Sequence, residues 1–161
     1  MKTTICSIGE CMIEITNVEK DLYNYSVAGD TLNFSSYLDQ RIFKKFYLTA
    51  IGTSDINKDV ISFLKKKKIH TDLVKKISSK EIGLYLIKNT KRGEKQFYYW
   101  RDDSAANFFF NNINKSLFIK KYRFDYIYLT GITLSLLNFK NIDKFITNLS
   151  ILRKKNSKII F

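Results

Sequence analysis

The chain has 161 residues, 45% of them hydrophobic, which is ordinary for one globular domain with a sizeable core. Its 28 Lys and Arg residues against 15 Asp and Glu residues give a formal net charge of +13. The positive charges are scattered, apart from Lys65–Lys68 and the pair Lys154 and Lys155, so composition favours a solvated basic surface over a nucleic-acid-binding face.

No apolar run approaches the roughly 20 residues needed to cross a bilayer, and because a strand-like run begins at once we expect no signal peptide. We therefore expect a soluble, cytoplasmic protein with no membrane or nucleic-acid partner. Cys6, Cys11 and the single His70 lack the spacing of a zinc site, so no metal site is predicted. The two cysteines are expected to be small buried hydrophobes in a reducing compartment.

The first elements along the chain are predicted to be strands. The mostly apolar run Thr3–Gly9 is typical of a strand covered on both faces. Residues Met12–Thr16 then alternate between apolar and polar side chains, which predicts a half-exposed strand, and Tyr23–Val27 is a candidate partner for it.

A helix and a second buried strand follow. Gly29 interrupts the strand pattern, and Asp30 or Thr31 is placed to cap a helix that runs to about Ile42. Lys45–Gly52 is predicted to be a buried strand. A second helix opens at Asp55, with one apolar stripe formed by Ile56, Val60, Phe63 and Leu64.

The second half of the chain is predicted to contain a hairpin and then a return to alternating helices and strands. Gly83–Thr90 and Lys95–Arg101 are strand-like runs around a turn that contains Gly93. The remaining predictions are a short helix within Ala105–Phe118, a buried strand in Phe124–Gly131, a helix in Asn141–Leu152 and an apolar strand in Ser157–Phe161.

This order predicts an α/β fold. Strands that alternate with helices favour a mostly parallel sheet flanked by helices, and the two antiparallel excursions favour a separate small sheet. In such folds ligands collect beyond the carboxyl ends of the parallel strands. Three segments fall there: Gly9–Met12, Ala28–Asn33 and Thr130–Leu137. The glycine at position 29 lets a ligand approach the backbone, and the helix start can donate to hydroxyls or an anion.

These segments, taken together, resemble one enzyme family. The sequences IGECMIEI (Ile8–Ile15), AGDTLN (Ala28–Asn33) and FYYWRDDSAA (Phe97–Ala106) are similar to segments of the 2-keto-3-deoxygluconate kinases, within the ribokinase-like (PfkB) carbohydrate kinases. TAIGTSD, GLYLI and FDYIYLTGITLSLL match in the same order, so the resemblance covers the whole chain. The family motif usually opens with Gly-Gly, and Ala28 takes the first place here.

The resemblance implies a ribokinase-like fold in which a small antiparallel β lid, at about residues 11–28 and 82–102, closes over a sugar. It implies that Arg101 pairs with a substrate carboxylate, since a planar guanidinium matches two carboxylate oxygens. The alternative for Arg101 is a surface ion pair with Asp102 or Asp103, and the alternative for Ile132 is core packing. The full implied substrate-binding set is Ala28, Gly29, Asp30, Thr31, Asn33, Tyr85, Tyr99, Trp100, Arg101 and Ile132.

The resemblance also implies what this sequence does not contain. Family members carry the catalytic Asp on a Gly-Ala-Gly-Asp segment in their C-terminal half, and no such segment occurs here. We expect residues 1–161 to be the N-terminal half of a sugar kinase, with no catalytic residue, no metal ligand and no tightly bound cofactor. The complete enzyme would use ATP and Mg²⁺ to convert 2-keto-3-deoxygluconate into its 6-phosphate, and this chain alone would be inactive.

Two expectations remain, one about assembly and one about an alternative function. The aromatic-rich lid has little core of its own, so a homo-oligomer that assembles through the lid is predicted. The alternative function is a non-catalytic basic binding module or a decaying gene remnant.

Overall fold

The computed structural model describes residues 2–90, 94–112, 122–154 and 156–161. The helices are α1 (Asp30–Tyr37), α2 (Ile56–Lys66), α3 (Ala105–Asn111), α4 (Gly131–Ser135) and α5 (Phe139–Lys154). The strands are β1 (Thr3–Ile8), β2 (Met12–Glu19), β3 (Leu22–Ala28), β4 (Phe43–Ile51), β5 (Ile69–His70), β6 (Val74–Lys76), β7 (Gly83–Asn89), β8 (Lys95–Trp100), β9 (Tyr126–Tyr128) and β10 (Lys158–Ile160).

The main sheet is parallel and has the strand order β10-β9-β1-β4-β5, with β6 also paired to β4. The central strands β1 and β4 are the long apolar runs because they are covered on both faces. Successive residues of β4 show this: Phe46 packs on one side of the sheet and Tyr47 on the other. The predicted α/β fold with a mostly parallel sheet is confirmed.

The core lies in two layers, one on each face of this sheet. On one face, Phe110 of α3 and Phe145 of α5 pack against Phe46 and its neighbours. On the other face, Val60 and Leu64 of α2 are fully buried against the sheet and against the first residues of β2 and the last residues of β3. These helices therefore fix the carboxyl ends of β1, β4 and β9 relative to one another.

The second sheet, which we call the lid, has the order β3-β2-β7-β8. The predicted pairing of β2 with β3 and the β7–β8 hairpin are both present and antiparallel. The expectation of a purely antiparallel lid needs correction, because β2 and β7 pair in parallel. Both strands leave the main domain at the same base, where Met12 lies opposite Gly83, and therefore run outward in the same direction.

The helix α1 is shorter than predicted and is capped differently. It begins after Gly29, and neither Asp30 nor Thr31 is its N-cap residue. It ends at Tyr37 because Asp39 forms a local turn, in which its carboxylate accepts a hydrogen bond of 2.8 Å from the backbone N–H of Arg41.

Three short elements were not predicted, and some predictions fall outside the described residues. β5, β6 and α4 span only 2, 3 and 5 residues, which is too short for a periodic pattern.

In α2 the predicted stripe holds for Val60 and Leu64, whereas Ile56 is 38% exposed. The predicted turn at Gly93, and the end of the predicted helix beyond residue 112, lie outside the described residues.

Both cysteines are buried and free, as expected. Burial raises the pKa of the Cys6 thiol and raises that of Cys11 to about 12. Over the ranges that the structure describes, no helix is both long and apolar enough to cross a membrane.

Candidate functional site

A cavity of about 240 Å³ lies between the lid and the carboxyl edge of the main sheet. Its floor comes from the link between β1 and β2 and from the first turns of α1 and α4, while β7 and β8 of the lid supply its wall. This is the edge at which the sequence predicted a ligand site. The lining residues are Glu10, Met12, Gly29, Asp30, Asn33, Tyr85, Phe97, Tyr99, Arg101 and Ile132.

The floor is held by very close backbone packing at Gly29. A Cβ atom added there would lie 2.5 Å from the carbonyl oxygen of Glu10 and 3.3 Å from Cα of Cys11. The glycine is therefore required by the approach of the β1–β2 link, and not only by a ligand.

Asp30 connects two elements of the floor. One carboxylate oxygen accepts from the backbone N–H of Thr31 at 2.6 Å, and the other accepts from the hydroxyl of Thr130, directly before α4. This pairing ties the start of α1 to the start of α4. Ile132 of α4 is 47% exposed and lines the cavity, so the alternative of core packing does not describe it.

Thr31 supports the floor from below. Its side chain is fully buried and shares a hydrogen bond of 3.1 Å with the hydroxyl of Tyr47. A Cβ atom on Gly9 would lie 2.3 Å from Oγ1 of Thr31, so β1 and α1 are in direct contact here. Thr133 closes the same layer by donating a 2.7 Å hydrogen bond to the carbonyl of Ile8.

The wall of the cavity is aromatic. Tyr85, Phe97 and Tyr99 lie on one face of the lid because Tyr85 is paired with Tyr99 across the strands and side chains alternate along β8. The ring centroids of Tyr85 and Tyr99 are 5.7 Å apart. The hydroxyl of Tyr85 donates to the carboxylate of Glu14, and the burial of this hydroxyl, with that contact, raises the pKa of Tyr85. The three rings therefore make this wall of the cavity largely apolar.

Arg101 leaves the end of β8 and enters the cavity, where it meets a buried carboxylate. Its Nη2 atom lies 2.7 Å from Oε2 of Glu10, and the two side chains are 21% and 1% exposed. The alternative of a surface ion pair is not what the structure shows, because Asp103 pairs with Lys80 instead. Arg101 thus has a partner inside the cavity, which the sequence did not indicate.

Glu10 is held from two sides. Its Oε1 atom accepts a hydrogen bond from Ser104, which also caps α3, while Oε2 meets Arg101 as an ion pair that is not a well-directed hydrogen bond. Desolvation raises the pKa of Glu10, and its contacts with Ser104 and Arg101 offset part of that rise. The carboxylate is therefore poorly compensated for a group so deeply buried.

Most of the predicted site residues line this one cavity, and three do not. Ala28 is buried in the lid at the end of β3, and Thr31 is buried beneath the floor. Trp100 lies on the opposite face of β8 from Tyr99, is 59% exposed and borders a separate groove with Asp102. The sequence carries a signal for this difference, because side chains alternate along a strand and Trp100 must therefore point away from both of its neighbours.

Sequence reasoning missed Glu10, Met12 and Phe97. The segment Gly9–Met12 was predicted to lie at the ligand edge, but no single residue in it stood out. Phe97 could have been found because it shares its face of the strand with Tyr99 and Arg101. No pattern in the sequence around Glu10 indicates its position in the cavity, because that position depends on its ion pair with Arg101, about 90 residues later in the chain.

The cavity is polar at its floor and apolar along its wall. It offers the paired side chains of Arg101 and Glu10 at one end, the polar side chains of Asp30 and Asn33 on the floor, and aromatic rings opposite them. Within the described ranges no group of three or more His, Cys, Asp or Glu side chains could hold a metal ion.

A parallel α/β sheet with a small β sheet projecting from its carboxyl edge is the architecture of the ribokinase-like fold. A family model described as "pfkB family carbohydrate kinase" matches residues 2–158. The chain therefore belongs to the pfkB family of carbohydrate kinases.

Curated relatives agree with this assignment. The chain is 36% identical over 162 residues to the 2-dehydro-3-deoxygluconokinase of Dickeya dadantii, covering 98% of this chain and 52% of that protein. It is 35% identical over 162 residues to the enzyme of the same name from Haemophilus influenzae, with coverage of 98% and 52%. The chain thus spans about half the length of the curated relatives it matches.

The fold is shared with solved structures. A 2-dehydro-3-deoxygluconokinase from Thermotoga maritima superposes with a TM-score of 0.79 at 15% identity, covering 98% of this chain and 49% of that one. At that identity the likeness shows the fold alone.

Proposed function

We propose that this chain is the sugar-binding part of a kinase that phosphorylates 2-keto-3-deoxygluconate at its 6-hydroxyl with ATP and Mg²⁺. The observation that carries the proposal is the guanidinium of Arg101, the one cation among the described lining residues, in a cavity whose wall is aromatic and whose floor carries the polar side chains of Asp30 and Asn33. The names of the relatives from Dickeya dadantii and Haemophilus influenzae support the choice of sugar acid.

Each side of the cavity has a role in this proposal. Arg101 binds the carboxylate at C1, because a charge-assisted contact distinguishes an acid from a neutral sugar. Asp30 and Asn33 accept from and donate to hydroxyl groups further along the molecule. Tyr85 and Tyr99 cover the apolar side of the ligand and exclude water from these contacts.

Recognition of the carboxylate is tested by ligand binding. We expect 2-keto-3-deoxygluconate to raise the midpoint of thermal unfolding, and glucose at the same concentration to raise it much less. Arg101→Lys keeps the charge beside Glu10 but loses the planar pair of donors, so its affinity for the acid should fall about tenfold, or about 1.4 kcal/mol. Isothermal titration calorimetry measures both effects.

The matched control is Arg41→Lys, which changes an exposed arginine that is paired with Asp39 far from the cavity. It should bind the acid as the unmodified chain does. Equal responses to glucose and to the acid, or equal affinities for Arg101→Lys and Arg41→Lys, would contradict carboxylate recognition by Arg101.

Phosphoryl transfer requires groups that this sequence does not supply. Such transfer depends on a base for the attacking hydroxyl and on donors around the γ-phosphate. We expect ATP consumption with the sugar acid to be absent for the 161-residue chain and to appear when the second half of the Dickeya dadantii relative is added. Turnover by the chain alone, at the roughly 1–100 per second usual for kinases, would contradict this division of roles.

Assembly and location stay predictions. The outer face of the lid exposes Tyr25, Tyr98 and Trp100, at 48%, 43% and 59%, and this supports a homo-oligomer that forms through the lid. A cytoplasmic location, without nucleic-acid or membrane partners, accords with a metabolic kinase.

The alternative of polyanion binding has weaker support, since Lys65–Lys68 lie at the last turn of α2 and directly after it, where they complement the helix dipole.

A further inference from the structure

Glu10 and Arg101 form a largely buried ion pair at the junction of the lid and the main domain. Glu10 lies in the link that leads from β1 into the lid, and Arg101 lies where β8 leaves it. Gly83, at the start of β7, makes room for this pair, since a Cβ atom there would lie 2.9 Å from Oε1 of Glu10 and 3.3 Å from Cβ of Arg101. The packing therefore directs the only cation among the described residues that line the cavity toward a carboxylate of the protein itself.

This arrangement poses a charge conflict for an anionic ligand. Without a ligand, Glu10 already neutralises Arg101. A ligand carboxylate at the same guanidinium would bring a second negative charge close to the buried carboxylate of Glu10. Each carboxylate disfavours the charged form of the other, so the pKa of one of them rises and that carboxyl group takes up a proton more readily.

Glu10 is the group placed to take that proton. It is 2% exposed, and its burial already favours the neutral form, whereas the ligand carboxylate enters from the open side of the cavity. Protonated Glu10 keeps its contact with Ser104 and leaves the charge of Arg101 for the ligand.

The geometry points to Glu10 as a positioning residue that competes with the ligand for Arg101, so that an anionic ligand binds together with one proton. This inference rests on the proposed sugar-acid function. Its consequence is that the affinity for the acid decreases as pH rises, because Glu10 must be protonated before Arg101 can pair with the ligand carboxylate. The affinity for a neutral ligand does not require this protonation.

Other charged and titratable groups also face Glu10. Arg101 lowers the pKa of Glu10, and the negative charge of Asp30 in α1 raises it. Cys11 and Tyr47 lie near this carboxylate, and the pKa of each is raised by burial, to about 12 for Cys11, so neither titrates in the relevant range. Ser104 from the start of α3 carries no charge. Glu10 is thus the group whose proton the ligand changes.

The test uses the unmodified chain first. Calorimetric titrations with 2-keto-3-deoxygluconate and with its methyl ester, between about pH 5.5 and 8, separate the charge of the ligand from its shape. Uptake of one proton limits the change to about tenfold per pH unit, and we expect the affinity for the acid to fall about tenfold over this range. The affinity for the ester should stay constant. A ¹³C titration of the Glu10 carboxyl group should move to higher pH when the acid is bound.

Two variants complete the test. Glu10→Gln keeps the shape and removes the competing charge, so its affinity for the acid should not depend on pH and should exceed that of the unmodified chain at pH 8 by about tenfold. Glu81→Gln is the matched control, because Glu81 is held by Ser54 and Asn57 outside the cavity, and it should keep the pH dependence.

The outcomes separate this inference from the proposed function. Binding of the acid with no pH dependence, or a pH dependence that persists in Glu10→Gln, overturns the competition by Glu10 and leaves the proposed function standing. No binding of the acid by either form at any pH overturns the proposed function, and the role of Glu10 in ligand binding with it.

Discussion

Arg101→Ala is expected to lower the free energy of unfolding by about 3–5 kcal/mol at pH 8, the usual loss when one partner of a buried ion pair is removed. The reason is the carboxylate that stays behind. Glu10 is 2% exposed, and of its described side-chain contacts it would keep the hydrogen bond from Ser104 and lose the ion pair. Urea unfolding followed by circular dichroism measures the loss.

The loss should depend on pH in a defined direction. The pKa of Glu10 in the folded chain is raised above its ordinary value of 4.5, mainly by desolvation, and removal of Arg101 raises it further. A raised carboxyl pKa means that stability is fully present below the ordinary value and decreases as pH rises through the folded value. The deficit of Arg101→Ala should therefore be small near pH 4.5 and grow toward pH 8.

Two controls decide whether the buried charge is the cause. Arg41→Ala removes an arginine whose side chain is 87% exposed and should leave the unfolding midpoint almost unchanged. The double variant Glu10→Gln with Arg101→Ala removes both charges and should recover much of the loss. A double variant as unstable as Arg101→Ala alone would show that lost packing of the arginine, not the unpaired carboxylate, is responsible.

The second large effect is expected from Gly29→Ala, which should lower the free energy of unfolding by about 3 kcal/mol, at the upper end of the range for overpacking. The added methyl group would lie 2.5 Å from the backbone oxygen of Glu10. Because the obstructing atom belongs to the main chain, it cannot rotate away, and the β1–β2 link must move. Such a shift also distorts the floor of the cavity, which Gly29, Asp30 and Asn33 line, so affinity for the sugar acid should fall as well.

Glycines elsewhere in the chain provide graded comparisons. Around Gly131 no described atom lies within 4 Å of an added Cβ atom, so Gly131→Ala should be neutral or should stabilise α4 by up to about 1 kcal/mol. At Gly83 the nearest atom, at 2.9 Å, is the end of the Glu10 side chain, and the effect should be intermediate. Equal stability of Gly29→Ala and Gly131→Ala in urea would contradict the close backbone approach.

The order of the main elements could be read from the sequence because it depends on local patterns. Buried parallel strands such as β1 and β4 are continuous apolar runs, and α2 has apolar residues at helical spacing. The ends of helices are less predictable. The first helix was predicted to run to about Ile42, but the side-chain turn at Asp39 ends α1 earlier.

The sequence by itself determined that the chain is an α/β domain with a separate small sheet, and its pattern placed the helix start at Asp30 at the predicted ligand edge. These inferences need only periodicity and the order of the elements along the chain, whereas Tyr99 and Arg101 were assigned to the site by the family resemblance. The partner of Arg101 was decided by tertiary structure alone, as was the parallel pairing of β2 with β7. Glu10 and Arg101 meet because two segments far apart in the chain converge at the base of the lid, and a burial that depends on such convergence leaves no pattern within either segment.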